Sequence, residues 1–210
     1  LNGLAAALAM GGPAAARPLD VVIADRREPA LGIEADGRAS AIVASSRRMF
    51  EALGVWDELK AEAQPVLRID VTDEPGQGSA RPALLQFATA DAAPFHMVEN
   101  RHLFSALLEA ARAAPGIRFV TGVSAERFQF GPGRARAGFS DGREISADLI
   151  IAADGRNSTA RAAAGIGTWG WDYGQSAIIA RVRHELDHQG AAVEGFRPGG
   201  PFAILPLNGR

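Results

Sequence analysis

Residues 147–161 read Ala-Asp-Leu-Ile-Ile-Ala-Ala-Asp-Gly-Arg-Asn-Ser-Thr-Ala-Arg, and this stretch decides the fold class. The apolar run over 147–153 predicts a buried strand, and Asp154-Gly155 predicts a turn at its end. Ser158 predicts the N-cap of a following helix. A strand that turns directly into a helix is typical of an open α/β sheet, which binds ligands at the carboxyl ends of its strands. A plain connection explains the Asp, the Gly and the Ser, but it gives no reason for Arg161.

The beginning of the chain carries a second part of this pattern. Gly3 precedes a helix predicted over Leu4–Met10 and a buried strand predicted over Leu19–Asp25. Asp25 follows Gly3 by 22 residues. In dinucleotide-binding units, a ribose-binding acid lies about 20 residues after the glycines of the phosphate loop. Gly3 is therefore a candidate for the last of these glycines, with the first strand and two earlier glycines expected before Leu1. Taken alone, the spacing also fits a glycine that only permits close helix–strand packing.

Composition limits the classes of protein that the chain can represent. Its 210 residues suffice for one large domain or two small ones. The formal net charge of −2 argues against nucleic-acid binding, which needs a clustered basic surplus. The absence of cysteine excludes disulfides, thiol nucleophiles and Cys-based zinc sites. No apolar run approaches the ~20 residues that span a bilayer, and the first residues do not form a signal peptide.

The remaining pattern predicts a mixed fold in which early helices alternate with strands and the tail is rich in strands. Amphipathic helices are predicted over Ser40–Leu53, Asn100–Ala114 and Ser158–Ala164. Residues 117–139 predict a three-stranded β-meander. Further strands are predicted at Val66–Thr72, Ala83–Phe87, Tyr173–Arg183, Ala191–Phe196 and Phe202–Leu207. We therefore predict an α/β (mixed α+β) chain with a second, antiparallel sheet inserted in pieces.

Two short motifs match sequence patterns of other functional sites, a phosphate-binding loop and a zinc site. Gly165–Gly170 matches G-x-G-x-x-G, but it follows a predicted helix and precedes a predicted strand, the reverse of a phosphate loop. His184-Glu185-Leu186-Asp187-His188 matches the H-E-x-x-H of zinc metallopeptidases. That motif needs both histidines on one helix face, whereas this one ends an alternating, strand-like run. We expect a Gly-rich loop and a polar hairpin tip, with a zinc metallopeptidase as the alternative.

Several blocks together resemble the flavoprotein aromatic hydroxylases (class A monooxygenases) of the para-hydroxybenzoate hydroxylase fold, in the ubiquinone-biosynthesis branch. Asp154, Gly155, Ser158 and Arg161 match the fixed positions of the "DG motif" of these enzymes. The other matching blocks are Asp36-Gly37-Arg38-Ala39-Ser40, Ser45-Arg47-Arg48, Leu53-Gly54-Val55-Trp56-Asp57, Val98-Glu99-Asn100-Arg101-His102-Leu103 and Gly200–Leu207. The resemblance covers essentially the whole chain.

The resemblance implies an FAD-binding Rossmann-like domain and assigns roles within it. Gly3 stands at the third fingerprint glycine, and Asp25 at the acid that binds the adenosine ribose of FAD. Asp154 and Gly155 lie near the FAD pyrophosphate. The implied boundaries are 1–64 plus 96–167 for the FAD-binding domain and 65–95 plus 168–210 for the substrate domain.

Two arginines complete the implied cofactor site. Arg38 stands where an arginine contacts the FAD phosphates or ribityl chain, and Arg101 where a residue contacts the flavin side chain. The alternative for each is a surface charge or a salt bridge. No catalytic residue and no metal ligand is assigned, because in this chemistry the cofactor does much of the work.

The resemblance implies hydroxylation of an aromatic ring with FAD, NAD(P)H and O2, and it points to the ring of a polyprenyl phenol intermediate of ubiquinone biosynthesis. Another flavin-dependent oxidoreductase of this fold is the first alternative, and a non-catalytic fragment that binds only a partner is the second. The resemblance implies a cytoplasmic protein, with peripheral association at the inner membrane or within a multi-enzyme assembly, and leaves its oligomeric state open. The later Gly-Asp motif of the family is absent, so we expect an internal fragment that is incomplete at both ends and inactive alone.

Overall fold

A computed structural model describes residues 1–29, 36–73, 84–88, 93–131 and 133–209. They form two compact units, Leu1–Ala35 with Phe104–Ile178, and Asp36–Leu103 with Ile179–Arg210. The helices and strands in chain order are α1 Asn2–Gly11, β1 Val21–Asp25, β2 Ala39–Val43, α2 Ala44–Ala52, α3 Trp56–Leu59, β3 Gln64–Val66, β4 Arg68–Asp73, β5 Leu85–Ala88, β6 Phe95–Glu99, α4 Asn100–Ala113, β7 Ile117–Thr121, β8 Ala125–Gln129, β9 Ala135–Phe139, β10 Glu144–Ala147, α5 Thr159–Ala163, β11 Ala191–Arg197 and β12 Gly200–Ile204. The mixed α/β class is confirmed; the predicted flavin and substrate domain boundaries stay a prediction.

The first unit begins with a helix packed on a parallel pair of strands. Leu4, Ala7 and Leu8 are buried on one face of α1, as their spacing of three and four residues requires. β1 pairs in parallel with β7, from Val21 opposite Ile117 to Asp25 opposite Thr121. The helix and strand predicted around Leu4–Met10 and Leu19–Asp25 are thus confirmed.

The antiparallel sheet of the first unit contains three strands in the order β10-β9-β8. Val123, Ala137 and Phe139 form its buried cluster. The predicted meander over 117–139 is wrong in its first strand, because β7 pairs with β1 instead of β8. A period of two identifies strands but not their neighbours, and β7 pairs with a strand that lies 96 positions earlier in the chain.

The second unit contains two sheets. One has the order β2-β6-β3, and the other has the order β12-β11-β4-β5, in which only β11 and β4 run in parallel. Val66, Met97 and Ala192 are buried between them, with Ile69 and Leu207 packed against the cluster. The strand-rich tail is therefore antiparallel for the most part, as predicted.

One predicted helix is half strand. Residues expected as the first part of the helix Ser40–Leu53 form β2, and the helix α2 begins only at Ala44. The β-branched side chains of Ile42 and Val43 favour a strand, and β2 gains a full ladder along β6 from Ala39 opposite Glu99. A long-range pairing thus overrides a weak local helical pattern.

Two predicted strands are wrong for a shared reason. Neither 148–153 nor Tyr173–Arg183 forms a strand, and neither has a hydrogen-bonded neighbour strand within the described residues. Leu149 is 69% exposed and Ile178 is 95% exposed. An apolar run becomes a strand only when an adjacent strand satisfies its backbone, and the local sequence does not report that neighbour. Within the described residues, no helix is long and apolar enough to cross a membrane.

Candidate nucleotide-binding site

The Asp154-Gly155 turn is held by the helix that follows it. Gly155 has φ of +87°, a left-handed conformation that favours glycine. The Asp154 carboxylate accepts hydrogen bonds at Oδ2 from the backbone N–H of Thr159 at 2.8 Å and of Ala160 at 3.2 Å. Ser158 Oγ accepts a hydrogen bond from the N–H of Arg161 at 2.9 Å, which confirms Ser158 as the N-cap of α5.

Arg161 has a structural role that the sequence did not reveal. Its Nη1 donates a hydrogen bond to the carbonyl oxygen of Arg156 at 3.0 Å. This bond joins the loop to the third residue of α5, five positions further along the chain. No common sequence pattern predicts a hydrogen bond from a side chain to a backbone carbonyl five positions earlier, across the start of a helix. The strand-turn-helix pattern therefore gave no reason for an arginine at position 161.

The environment of Asp154 favours its charged form. Burial alone would raise the pKa of this carboxyl. Hydrogen bonds from Ser158, Ala160 and Thr159 outweigh that effect and hold the pKa below its ordinary value. The turn therefore presents a fixed carboxylate at neutral pH.

An open groove of about 470 Å³ lies beside this turn. Its lining combines the turn and cap residues Asp154, Gly155, Ser158 and Arg161 with the apolar residues Phe130, Ile150, Ala152, Ala160, Ala164 and Ile166. A groove with both polar and apolar lining suits a ligand that carries both a phosphate or sugar and a flat apolar group.

Gly3 and Asp25 lie around the N-terminus of α1, close to the same turn. A Cβ atom on Gly3 would lie only 3.3 Å from the Cβ of Ala153, so the absence of a side chain permits this approach. Asp25 ends β1, its Oδ1 accepts a hydrogen bond from the N–H of Arg27 at 2.9 Å, and its carboxylate lies near the backbone nitrogen of Leu1 at the start of α1. The structure thus brings together a helix N-terminus, a strand-end carboxylate and the Asp154 turn.

Arg38 lies in the second unit, in a network that begins β2. Its Nε and Nη2 donate hydrogen bonds to the two carboxylate oxygens of Asp36 at 2.7 and 2.8 Å. Asn100 donates from Nδ2 to Asp36 at 3.2 Å and accepts at Oδ1 from Ser40 Oγ at 2.7 Å. The bond from Arg38 lowers the pKa of Asp36 well below its usual range. Arg38 nevertheless remains 65% exposed, so its guanidinium is available to a ligand.

Arg101 has an equivalent partner at the end of β6. Its Nε and Nη2 donate hydrogen bonds to Glu99 at 2.9 and 3.3 Å. Arg181 donates from Nη1 to the same carboxylate at 2.5 Å. Both predicted arginines therefore form the salt bridges considered as their alternative role. Asp36, Glu99 and Arg181 were not among the predicted site residues. The shared spacing Asp36-x-Arg38 and Glu99-x-Arg101 is the sequence signal that indicates the two acids.

The H-E-x-x-H motif has a different geometry from a zinc site. His188 Nδ1 accepts a hydrogen bond from the N–H of Gly190 at 3.0 Å, and its Nε2 lies 3.0 Å from the carbonyl oxygen of Leu207. These partners assign the neutral tautomer with the proton on Nε2, so both ring nitrogens already have partners. His184 and His188 lie in irregular backbone on either side of a bend at 185–186, not on a helix, and the described residues contain no cluster of three or more metal-ligating side chains. Gly165–Gly170 likewise lies in irregular backbone.

Comparison with known proteins identifies the group to which this chain is similar. Residues 4–197 match the family model described as FAD binding domain. Ubiquinone hydroxylase UbiL of Rhodospirillum rubrum is 40% identical over 199 residues, which cover 93% of this chain and 45% of that protein. The 3-demethoxyubiquinol 3-hydroxylase of Escherichia coli is 33% identical over 192 residues, which cover 89% of this chain and 48% of that protein.

A solved structure agrees with the fold. Klebsiella pneumoniae HpxO complexed with FAD and uric acid has a TM-score of 0.64 at 19% identity, and covers 98% of this chain and 51% of its own. The chain thus spans about half the length of the curated relatives it matches. The resemblance to ubiquinone-biosynthesis hydroxylases is confirmed, and the chain belongs to the FAD binding domain family.

Proposed function

We propose that the full-length protein, the longer polypeptide in which we expect this chain to be a segment, is an FAD- and NAD(P)H-dependent monooxygenase. It hydroxylates the aromatic ring of a polyprenyl phenol intermediate of ubiquinone biosynthesis. The observation that carries the proposal is the grouping of Gly3, Asp25 and the Asp154-Gly155 turn around the N-terminus of α1, in a chain of the FAD-binding family. Such a grouping is what a dinucleotide needs from a protein.

The residues present fit the adenosine and pyrophosphate part of FAD. Gly3 leaves room for a phosphate to approach the backbone at the N-terminus of α1. The Asp25 carboxylate accepts hydrogen bonds from ribose hydroxyls, because it lies exposed at the carboxyl end of β1. The Asp154 turn is fixed by its hydrogen bonds to α5, so Gly155 presents its backbone without a side chain in the way.

We further propose that Arg38 contacts the FAD phosphates or ribityl chain and that Arg101 contacts the flavin side chain. Arg38 and Arg101 are each oriented by an acidic residue two positions earlier and are both partly exposed. When bound, FAD would pass two electrons from NAD(P)H to O2, which supplies one oxygen atom to the ring and the other to water. The role of this chain is to bind and orient that cofactor; the relatives named for ubiquinone intermediates support an apolar, prenylated aromatic substrate. Such a substrate favours a cytoplasmic protein that associates peripherally with a membrane.

Purification of the full-length protein tests this proposal. We expect a yellow preparation with one FAD per chain that consumes NADH or NADPH and O2 and hydroxylates a short-chain demethoxyubiquinol analogue. A colourless protein that gains no FAD on addition of the cofactor would contradict it. A yellow protein that oxidises NAD(P)H but hydroxylates no phenol or quinol would favour the alternative, another flavin-dependent oxidoreductase of this fold.

A further inference from the structure

A third arginine joins the pair predicted from the sequence. Glu99 is the last residue of β6, and its side chain is only 16% exposed. Its Oε2 accepts hydrogen bonds from both Arg101 Nε at 2.9 Å and Arg181 Nη1 at 2.5 Å. One nearly buried carboxylate therefore holds two guanidiniums, from residues 80 positions apart in the chain.

The geometry of the sheet brings this cluster to Arg38. Ala39 lies opposite Glu99 in the β2–β6 ladder, and the N–H of Asn100 donates to the carbonyl oxygen of Arg38 at 2.9 Å. The Asn100 amide also bonds to Asp36, the partner of Arg38. The start of β2 and the end of β6 therefore lie side by side. They place both acid–arginine pairs at the same end of these strands, which is the edge of the sheet considered below.

Among the residues that the structure describes, the charges at this edge do not balance. Three guanidiniums, of Arg38, Arg101 and Arg181, face two carboxylates, of Asp36 and Glu99. Arg101 and Arg181 keep 41% and 53% of their side-chain surface exposed. A guanidinium has five N–H donors in a planar fork, and the bonds to Glu99 use only some of them. The remaining donors and the excess positive charge suit a phosphate or a diphosphate.

We propose that Arg181 is a further phosphate-binding residue and that Glu99 is a positioning residue that orients Arg101 and Arg181 toward a nucleotide diphosphate. This inference rests on the proposed function for the identity of the nucleotide. The diphosphate can belong to FAD or to NAD(P)H, which share the same chemistry. A purely structural tie, in which Arg181 only fastens residues 179–210 to β6, is the competing explanation that the experiment must separate.

The full-length protein carrying Arg181→Gln is compared with wild type in three titrations: FAD with the apoprotein, NADH and NADPH with the FAD-loaded enzyme, and inorganic pyrophosphate with the apoprotein. We expect pyrophosphate and one of the two nucleotides to bind about tenfold more weakly, since one charge-assisted hydrogen bond contributes at least that factor. The salt dependence of this affinity should also become shallower, because fewer charges take part. A weaker FAD affinity identifies the flavin diphosphate, and a raised KM for NAD(P)H at unchanged kcat identifies the reductant.

Two variants separate positioning from structure. Glu99→Gln should weaken the same ligand, because the arginines lose their common anchor; unchanged or tighter binding would overturn the positioning role. Arg183→Gln is the matched control, because Arg183 is exposed on the same segment and has no ion pair within the described residues. We expect it to leave all three affinities unchanged.

If Arg181→Gln lowers the melting temperature but leaves every affinity and its salt dependence at the wild-type value, the inference is wrong. The pyrophosphate titration needs no flavin. A wild-type protein that binds pyrophosphate through Arg181 but takes up no FAD would therefore contradict the proposed function while supporting the anion site.

Discussion

Asp25 offers the sharpest test of the nucleotide site. Its carboxylate lies exposed at the carboxyl end of β1, and its Oδ1 already accepts a hydrogen bond from the N–H of Arg27 at 2.9 Å. A ribose hydroxyl would add a charge-assisted hydrogen bond, worth ~1.5–3 kcal/mol. Asp25→Ala in the full-length protein should therefore weaken FAD binding roughly 10- to 150-fold, since ~1.4 kcal/mol is tenfold.

The assay is a titration of the apoprotein with FAD, followed by flavin fluorescence, at constant ionic strength. Asp20→Ala is the matched control, because Asp20 is exposed at the opposite end of the same strand and should leave FAD affinity unchanged. The melting temperature of each variant shows that the fold is intact. If a folded Asp25→Ala protein binds FAD as tightly as wild type, Asp25 does not belong to the site and the assignment of Gly3 loses its main support.

Four further outcomes are expected. Gly155→Ala should destabilise the full-length protein by about 1–2 kcal/mol in denaturant unfolding, because alanine resists the φ of +87°. Asp154→Ala should cost about 0.5–2 kcal/mol, because the N–H groups of Thr159 and Ala160 at the start of α5 lose their carboxylate acceptor. This contribution exists only above the ordinary carboxyl pKa and is lost as pH falls through the lower folded pKa, so acid-unfolding curves of variant and wild type should converge. His96 has a pKa lowered by burial and by Arg47, so stability should fall as pH drops below its ordinary pKa of 6.5, and His96→Gln should flatten that dependence. Elemental analysis should find no stoichiometric zinc; one zinc per chain that disappears in His188→Ala would revive the peptidase alternative.

The helices that the sequence predicted well are those with local signals. α1 and α4 repeat apolar residues at helical spacing, and α5 carries its own cap at Ser158. Each of these signals involves residues within a few positions of one another. The same holds for the turn at Gly155, where a glycine is favoured by a backbone conformation that its neighbours fix.

The failures concern partners that lie far away in the chain. β2 became a strand because β6 lies beside it, and β7 left the predicted meander because β1 offers a parallel neighbour. The apolar run at 148–153 has the composition of a buried strand, yet it stays exposed because the described residues supply no adjacent strand. Hydrophobic periodicity shows which side chains of a segment are suited to burial. It does not show which other strand will pair with that segment, because the pairing depends on the whole fold.

The blocks that carry the family resemblance contain both residues that pack the core and residues that are candidates for ligand binding. In the block Leu53-Gly54-Val55-Trp56-Asp57, Val55 and Trp56 are buried, Gly54 has φ of +74°, and Trp56 packs edge-on against His96 at 5.4 Å. Val55 and Trp56 of this block therefore contribute to the packing of the second unit.

Asp154 shows why the distinction between structural and binding residues is incomplete at the site itself. Its Oδ2 accepts hydrogen bonds from two backbone N–H groups at the start of α5, so Asp154 has the structural role of a turn residue. Those same bonds fix the carboxylate and the adjoining Gly155 in one orientation before any ligand arrives. A preorganised turn binds a dinucleotide more tightly than a mobile one, because less conformational freedom is lost on binding. We therefore expect the hydrogen bonds of Asp154 to stabilise both α5 and the proposed binding turn. Removing them should lower the stability of the helix and the affinity for the cofactor.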